Sequence, residues 1–179
     1  MFAYGDYILR EPIDEDAEGF YHISHDEAVN RYYGSAGTDF SDMDEARRQV
    51  EWCRAQFQRD AGRFVIAAKA TNEYVGDIGF SEYVKAHRRV EIGYRLIRDH
   101  WGRGIVTHFI GKLVAWGFDT LPYNRIEALV DVRNDPSKKV LVKNGFALEG
   151  VLRQYEYEHG GYVDLAMYSI LRNEYTQMS

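Results

Sequence analysis

The chain has 179 residues, 45% of them hydrophobic and 28% charged, with a formal net charge of −6. This is enough for one well-packed domain, expected over 1–179, and it excludes a disordered acidic tail or a membrane-embedded chain. The acidic balance argues against direct nucleic-acid binding, and the single cysteine, Cys53, excludes an intrachain disulfide and a Cys-rich zinc site.

No signal peptide is visible at the start, so a cytoplasmic protein is expected. Phe2 to Arg10 reads as one strand ending at Glu11-Pro12. From Asp14 an acidic first turn opens a helix, where carboxylates complement the helix dipole. Ser41 is the expected N-cap of the next helix, with Asp44 three residues on. In it Met43, Ala46, Val50, Cys53 and Phe57 form one apolar stripe running to about Asp60. Arg63–Ala70 and Tyr74–Val84 read as strands around a Thr71-Asn72-Glu73 turn. Arg89–Ile97 alternates, with Val90, Ile92, Tyr94 and Leu96 on one face and Glu91, Gly93 and Arg95 on the other. A glycine loop leads into a helix over about 104–118, followed by a strand over 125–132. Asn134-Asp135-Pro136 starts a short helix that stops at Asn144-Gly145. Ala147–Glu158 and Tyr162–Leu171 close the chain as a β-hairpin around Gly160-Gly161. The order is α/β with mostly antiparallel runs, and it contains no repeat or linker.

Charge is unevenly distributed. Lys85 to Lys143 holds 12 basic and 6 acidic residues, against 10 and 22 in the remainder. That suits an anionic ligand in the middle of the chain and an amine-bearing one elsewhere; ordinary scatter is the alternative. The loop Trp101-Gly102-Arg103-Gly104-Ile105-Val106-Thr107 lies inside this segment, between a strand and a helix. Open amides at a helix start bind phosphate, and glycines allow close approach. Thr107 replaces the third glycine of a dinucleotide fingerprint, and Gly111-Lys112 is followed by Leu113, so neither that motif nor a Walker loop is present.

Glu91-Ile92-Gly93-Tyr94, Trp101-Gly102-x-Gly104, Asn124-Arg125-Ile126-Glu127-Ala128, Asn134-x-x-Ser137-x-x-Val140-Leu141 and Gly145-Phe146-x-Leu148-Glu149-Gly150-x-Leu152-Arg153 resemble one family across essentially the whole chain. It is the Gcn5-related N-acetyltransferases, GNAT, in the branch that acetylates ribosomal-protein N-termini. The resemblance implies a mixed central sheet with helices on both faces, splayed where acetyl-CoA wedges between the strand ending near Leu96 and the one beginning near Arg125. Leu96 and Ile97 would pair with pantetheine, Arg103 to Thr107 would hold the pyrophosphate, and Trp101, Gly102, Gly104, Asn134 and Ser137 complete the expected cofactor contacts. Val106 departs from the small residue usual there, and His108-Phe109 departs from the common Glu-Ala.

Acetyl transfer needs a neutral amine, donors for the oxyanion and a proton for the leaving thiolate. Glu91 is a candidate base or ammonium binder; an ion pair with Arg88, Arg89 or Arg95 is the alternative. Ser137 is the candidate thiolate partner by resemblance, or else a first-turn residue bonding the Asn134 carbonyl. Cys53 reads as core. His22 and His25 lack a third ligand, so no metal is expected. Tyr32, Tyr33, Tyr155, Tyr157 and Tyr162 are candidate acceptor contacts, with cross-strand pairing as the plain alternative. Spermidine acetyltransferases carry a general-acid Tyr where this chain has Leu141, which argues against a polyamine acceptor.

The leading expectation is an acetyl-CoA-dependent N-acetyltransferase acting on a protein N-terminal α-amine, as a monomer or homodimer without a membrane partner. The acidic stretches 14–18 and 39–45 would attract a basic ribosomal-protein target. Alternatives are an acetyltransferase for a small amine (antibiotic, amino acid or polyamine) and a CoA-binding module without turnover.

Overall fold

The computed structural model describes residues 2–33, 40–57, 61–158 and 160–178, the last three in backbone only. Its strands are β1 (Phe2–Tyr4), β2 (Tyr7–Arg10), β3 (Gly62–Ala68), β4 (Tyr74–Val84), β5 (Arg89–Leu96), β6 (Arg125–Asp131), β7 (Ala147–Glu158) and β8 (Gly161–Leu171). Its helices are α1 (Asp16–Ser24), α2 (Glu27–Asn30), α3 (Met43–Gln56), α4 (Ile105–Thr120), α5 (Asp135–Lys143) and α6 (Arg172–Met178). All eight strands join one sheet in the order β1-β2-β3-β4-β5-β6-β8-β7.

Every neighbouring pair is antiparallel except β5 and β6. That parallel pairing covers only Arg89–Arg125, Val90–Ile126 and Glu91–Glu127. Beyond Glu91, β5 stays with β4 as far as Leu96 while β6 stays with β8 as far as Asp131. The two strands therefore part, and a gap opens in the middle of the sheet with Glu91 and Glu127 at its apex.

The alternation of β3 separates two cores. Val65 and Ala67 pack with Ala17, Phe20, Ala46, Val50 and Cys53 of α1 and α3. Ile66 faces the other side, where Phe109, Ile110, Leu113 and Phe118 of α4 and Leu141 of α5 are buried. Sandwiching the sheet between helices buries both apolar faces. On the α1/α3 side lies a buried charge cluster. Asp77 is fully buried and accepts from Arg63 Nε at 2.6 Å, Arg95 Nε at 3.2 Å and the Tyr74 hydroxyl at 2.5 Å. Burial pushes the Asp77 carboxyl up, but the two guanidinium groups outweigh it and hold its pKa below the usual carboxylate range.

Several expected boundaries move. The first strand is a tight hairpin, because Gly5 (φ +54°) turns the chain between β1 and β2. The cap of α3 is Asp42 rather than Ser41: its side chain accepts from Glu45 N at 2.9 Å, and Glu45 reaches back to Ser41 N at 2.7 Å. Helix α3 ends at Gln56 with Phe57 as C-cap; the expected continuation to Asp60 lies outside the described residues. The short helices α2 and α6 carry no apolar stripe and were not expected. Among the described residues, no helix is long and apolar enough to cross a membrane.

Candidate active site

The edge of β5 that faces the gap is set by its ladder with β4. Ile97 N donates to Val75 O at 2.9 Å, and antiparallel pairing alternates from there. The backbone groups of Ile92, Tyr94 and Leu96 therefore point away from β4, into the gap. Their use along this edge is uneven. The Leu96 carbonyl accepts from Trp101 Nε1 at 2.7 Å. The Ile97 amide belongs to the β4 ladder and its carbonyl accepts from His100 N, so of the two residues expected to meet pantetheine Leu96 is the one whose backbone turns into the gap. Trp101 is 47% exposed and acts as a latch between the loop and the end of β5.

The glycine loop ends in an open helix start. Gly102 (φ +73°) and Gly104 (φ +74°) are both left-handed, and no side chain caps α4. His108 N, bonded to Gly104 O, is the first amide with an intrahelical partner. Among the described residues, the amides of Ile105, Val106 and Thr107 donate to nothing outside the helix. Three aligned donors at the positive end of a helix dipole suit a pyrophosphate. The side chains of Ile105 and Val106 point to the core, so the departure at Val106 leaves the amide row intact. Arg103 is braced by Tyr7 Oη at 3.1 Å and Asp99 O at 2.9 Å. Arg103, Lys112, Lys139 and Lys143 have no carboxylate partner among the described residues, whereas Arg89, Arg95, Arg98, Arg125, Arg133 and Lys138 all do.

Across the gap, Asn134 caps α5 by accepting from Ser137 N at 3.2 Å. The Ser137 hydroxyl does not bond the Asn134 carbonyl, which accepts from Lys138 N instead. It meets the Tyr94 hydroxyl at 2.6 Å, a contact between β5 and α5 that spans the two sides of the gap. Burial pushes the Tyr94 phenol up to about 12, so it keeps its proton. Either hydroxyl can donate in this contact, and the Ser137 carbonyl lies 3.4 Å from the same phenol; when the phenol donates to Ser137 Oγ, the serine hydrogen is free to be given elsewhere. Sequence reasoning placed Tyr94 on the apolar face of its strand and missed this role.

Glu91 sits at the apex on the α1/α3 face, opposite the face that carries Tyr94. Burial, and then the charges of Glu127, Glu82 and Glu156, push its pKa up to about 7. The alternative of an ion pair is not realised. Arg89 bonds Glu127 and Arg95 bonds Asp77, and Glu91 has no salt bridge among the described residues. Glu127 is also held by Arg125 Nε at 2.6 Å. Cys53, driven up to about 12 mainly by burial, is an inert core thiol.

The expected acceptor tyrosines divide. Tyr33 lies over the Glu91 face, its hydroxyl 2.8 Å from Arg63 Nη2 and its ring 5.1 Å from the Arg95 guanidinium. Tyr32 and Tyr162 line a cavity of about 400 Å³. Tyr157 and Tyr162 form an edge-on pair across the β7–β8 hairpin at 5.2 Å. Tyr155 falls in the irregular stretch of β7 between Leu152 and Glu156, is 54% exposed and is not among the residues lining this cavity. No cluster of metal-ligating side chains occurs among the described residues.

The acetyltransferase (GNAT) domain family matches this chain over residues 6–147. The chain belongs to the GNAT family of acetyltransferases. It is 39% identical to the uncharacterised N-acetyltransferase YoaA of Bacillus subtilis (strain 168), over 92% of this chain and 93% of that protein. Among solved structures it resembles RimL, the ribosomal L7/L12 alpha-N-protein acetyltransferase in complex with coenzyme A, with TM-score 0.83 and 23% identity over 94% and 95% of the two chains. It also resembles the spermidine N-acetyltransferase of Vibrio cholerae in complex with CoA and spermine, with TM-score 0.82 and 21% identity over 96% and 98%. At these identities the structures establish a shared fold. The protein is an acyltransferase, and acetyl-CoA is its acetyl donor. The open amide row at α4, Arg103 at its start and the gap-facing edge of β5 fit a phosphorylated, extended donor.

Proposed function

We propose that this GNAT acetyltransferase moves the acetyl group of acetyl-CoA directly onto a protein N-terminal α-amine, with Glu91 as base and Ser137 as donor to the departing sulfur. The observation that carries this reading is the placement of the two groups. Glu91 lies on the α1/α3 face of the gap and the Ser137–Tyr94 pair on the α4/α5 face. A thioester threaded between β5 and β6 meets an acceptor on one side and a proton donor on the other.

Ionised Glu91 takes a proton from the acceptor ammonium, directly or through water. The freed amine forms the C–N bond at the thioester carbonyl while the gap-facing amides of β5 stabilise the oxyanion. The C–S bond then breaks as the Ser137 hydroxyl, its oxygen held by Tyr94, gives its proton to the sulfur, and the excess proton on the new amide nitrogen returns through water to the serine oxygen. No acyl-enzyme is needed, and the buried high-pKa Cys53 is unsuited to one.

A small amine is the second reading. RimL and the spermidine enzyme show that one fold serves both acceptor classes, while Leu141, fully buried, offers no acid of the polyamine type. The carboxylate with a raised pKa and the paired hydroxyls favour turnover over a CoA-binding module. Ser137→Ala and Tyr94→Phe test the mechanism. Each should lower kcat, Ser137→Ala by roughly 10²-fold, with acetyl-CoA affinity retained. The double variant should lose little more than Ser137→Ala alone, because Tyr94 acts through the serine. Additive losses would contradict that coupling, and a wild-type rate in Ser137→Ala would remove the donor.

A further inference from the structure

The cavity at the tip of the β7–β8 hairpin has a polarity of its own. It is lined by Arg31, Tyr32, Arg133, Glu158, Tyr162 and Val163, with Gly160 and Gly161 at the hairpin tip. At about 400 Å³ it lies at the small end of ligand-binding cavities, roughly 300–1,000 Å³. Chain continuity ties it to the catalytic groups at three points. Tyr32 precedes Tyr33, which lies over the Glu91 face. Arg133 precedes Asn134, the cap of the helix that carries Ser137. Val163 pairs with Glu156, one of the carboxylates whose charge acts on Glu91.

Two guanidinium groups share the Tyr32 ring, Arg31 at 5.2 Å and Arg133 at 5.5 Å from its centroid. Arg133 gives Nε and Nη2 to Asp131, which leaves Nη1 without a partner among the described residues. Arg31 has no carboxylate partner there. Glu158 also lines the cavity and is itself engaged by another group. At the apex the balance is reversed: Glu82, Glu91 and Glu156 have no cation partner among the described residues. An acceptor lying across both zones meets carboxylates at its amine end and guanidinium groups beyond.

We propose that this cavity is an acceptor subsite for an anionic group, so that the preferred substrate is a primary amine bearing a carboxylate within one or two residues of it, as at an acidic protein N-terminus. The proposal rests on the transferase reading above and gives it a substrate class. It also opposes the expectation of a basic target. Four of the eight carboxylates in the acidic stretches thought to attract one are paired with arginines among the described residues of the chain: Asp14 with Arg54 at 2.7 Å, Asp16 with Arg10 at 2.7 Å, Asp44 with Arg47 at 2.6 Å and Glu45 with Arg48 at 3.6 Å.

The test measures thiol release by the full chain from acetyl-CoA. The acceptors are C-terminally amidated peptides beginning Ala-Asp, Ala-Asn or Ala-Lys, together with free aspartate and spermidine. The Asp peptide should exceed the Asn peptide by roughly fivefold or more in kcat/KM, and the Lys peptide and spermidine should be poorest. In Arg31→Gln and Arg133→Gln the Asp-to-Asn ratio should fall towards one through acceptor KM, with acetyl-CoA affinity measured by calorimetry unchanged. Free aspartate used as well as the Asp peptide would still support the subsite, and would assign it to small amino acids. A Lys or spermidine preference, or a ratio that both variants leave intact, overturns the subsite alone. No turnover with any acceptor while CoA still binds overturns the transferase reading and the subsite with it.

Discussion

Replacing Glu91 by Gln removes an apex carboxylate whose pKa is raised to near neutrality. With a pKa of about 7, Glu91 is about nine-tenths ionised at pH 8 and about one-tenth at pH 6, since each unit below the pKa is tenfold. The wild-type rate carried by this base should therefore fall about tenfold per pH unit below 7. The acceptor amine titrates too, so the informative quantity is the ratio of wild-type to Glu91→Gln rates at each pH with one peptide. That ratio should be roughly 10²–10⁴ on a plateau above pH 8 and fall by about tenfold per unit below pH 7. Stability should respond with the opposite preference. The folded pKa is raised above the ordinary Glu value, so protonated Glu91 favours the fold at low pH, and that contribution is lost as pH rises through about 7. The Gln variant, always neutral, should gain in Tm over wild type on going from pH 5 to pH 8. A ratio that does not vary between pH 6 and 8, or a variant with the wild-type profile, would refute the assignment of Glu91 as base.

Three further outcomes are expected. Gly104→Val should weaken CoA binding in a folded protein: φ is +74° there, and an added Cβ would lie 3.3 Å from the Tyr4 hydroxyl; calorimetry giving wild-type affinity would contradict the loop assignment. CoA affinity should fall as salt rises, because Arg103, Lys112, Lys139 and Lys143 are left without carboxylate partners; a flat response would place the binding charge elsewhere. Asp77→Asn should cost about 3–5 kcal/mol in denaturant unfolding at pH 7, since Arg63 and Arg95, 5% and 3% exposed, lose their shared counter-charge. That deficit should shrink only as acid titrates Asp77 through its depressed folded pKa, and a loss below about 1 kcal/mol would contradict the role of the cluster.

Local chemistry made much of this legible. The period-two pattern of Arg89–Ile97, the glycines at 102 and 104 and the Asn-capped start at 134 each have short-range causes, and each lies where the sequence places it. The parts that escaped depend on distant residues. The Tyr94 hydroxyl finds a partner 43 positions away, whereas alternation tells only which face its ring occupies. Glu91 goes unpaired because Arg89 and Arg95 are claimed by carboxylates of β6 and β4, a competition that sequence neighbours do not reveal. Ser41 and Asp42 are adjacent capping residues, and both take part once Glu45 reaches back. Helix α6 packs Tyr175 against Phe118 and the core but carries no apolar stripe to announce it.

The central claim, direct transfer across the gap from donor to amine, is tested most directly by mass spectrometry of both partners after one incubation. The protein is mixed with acetyl-CoA alone and with acetyl-CoA plus a peptide whose only primary amine is its N-terminal α-amine. The account predicts an unmodified enzyme in the first mixture and a singly acetylated peptide in the second, with that product falling sharply in Glu91→Gln and Ser137→Ala. An acetylated enzyme that passes its acetyl group to the peptide, or peptide acetylation equal in wild type and both variants, would contradict it.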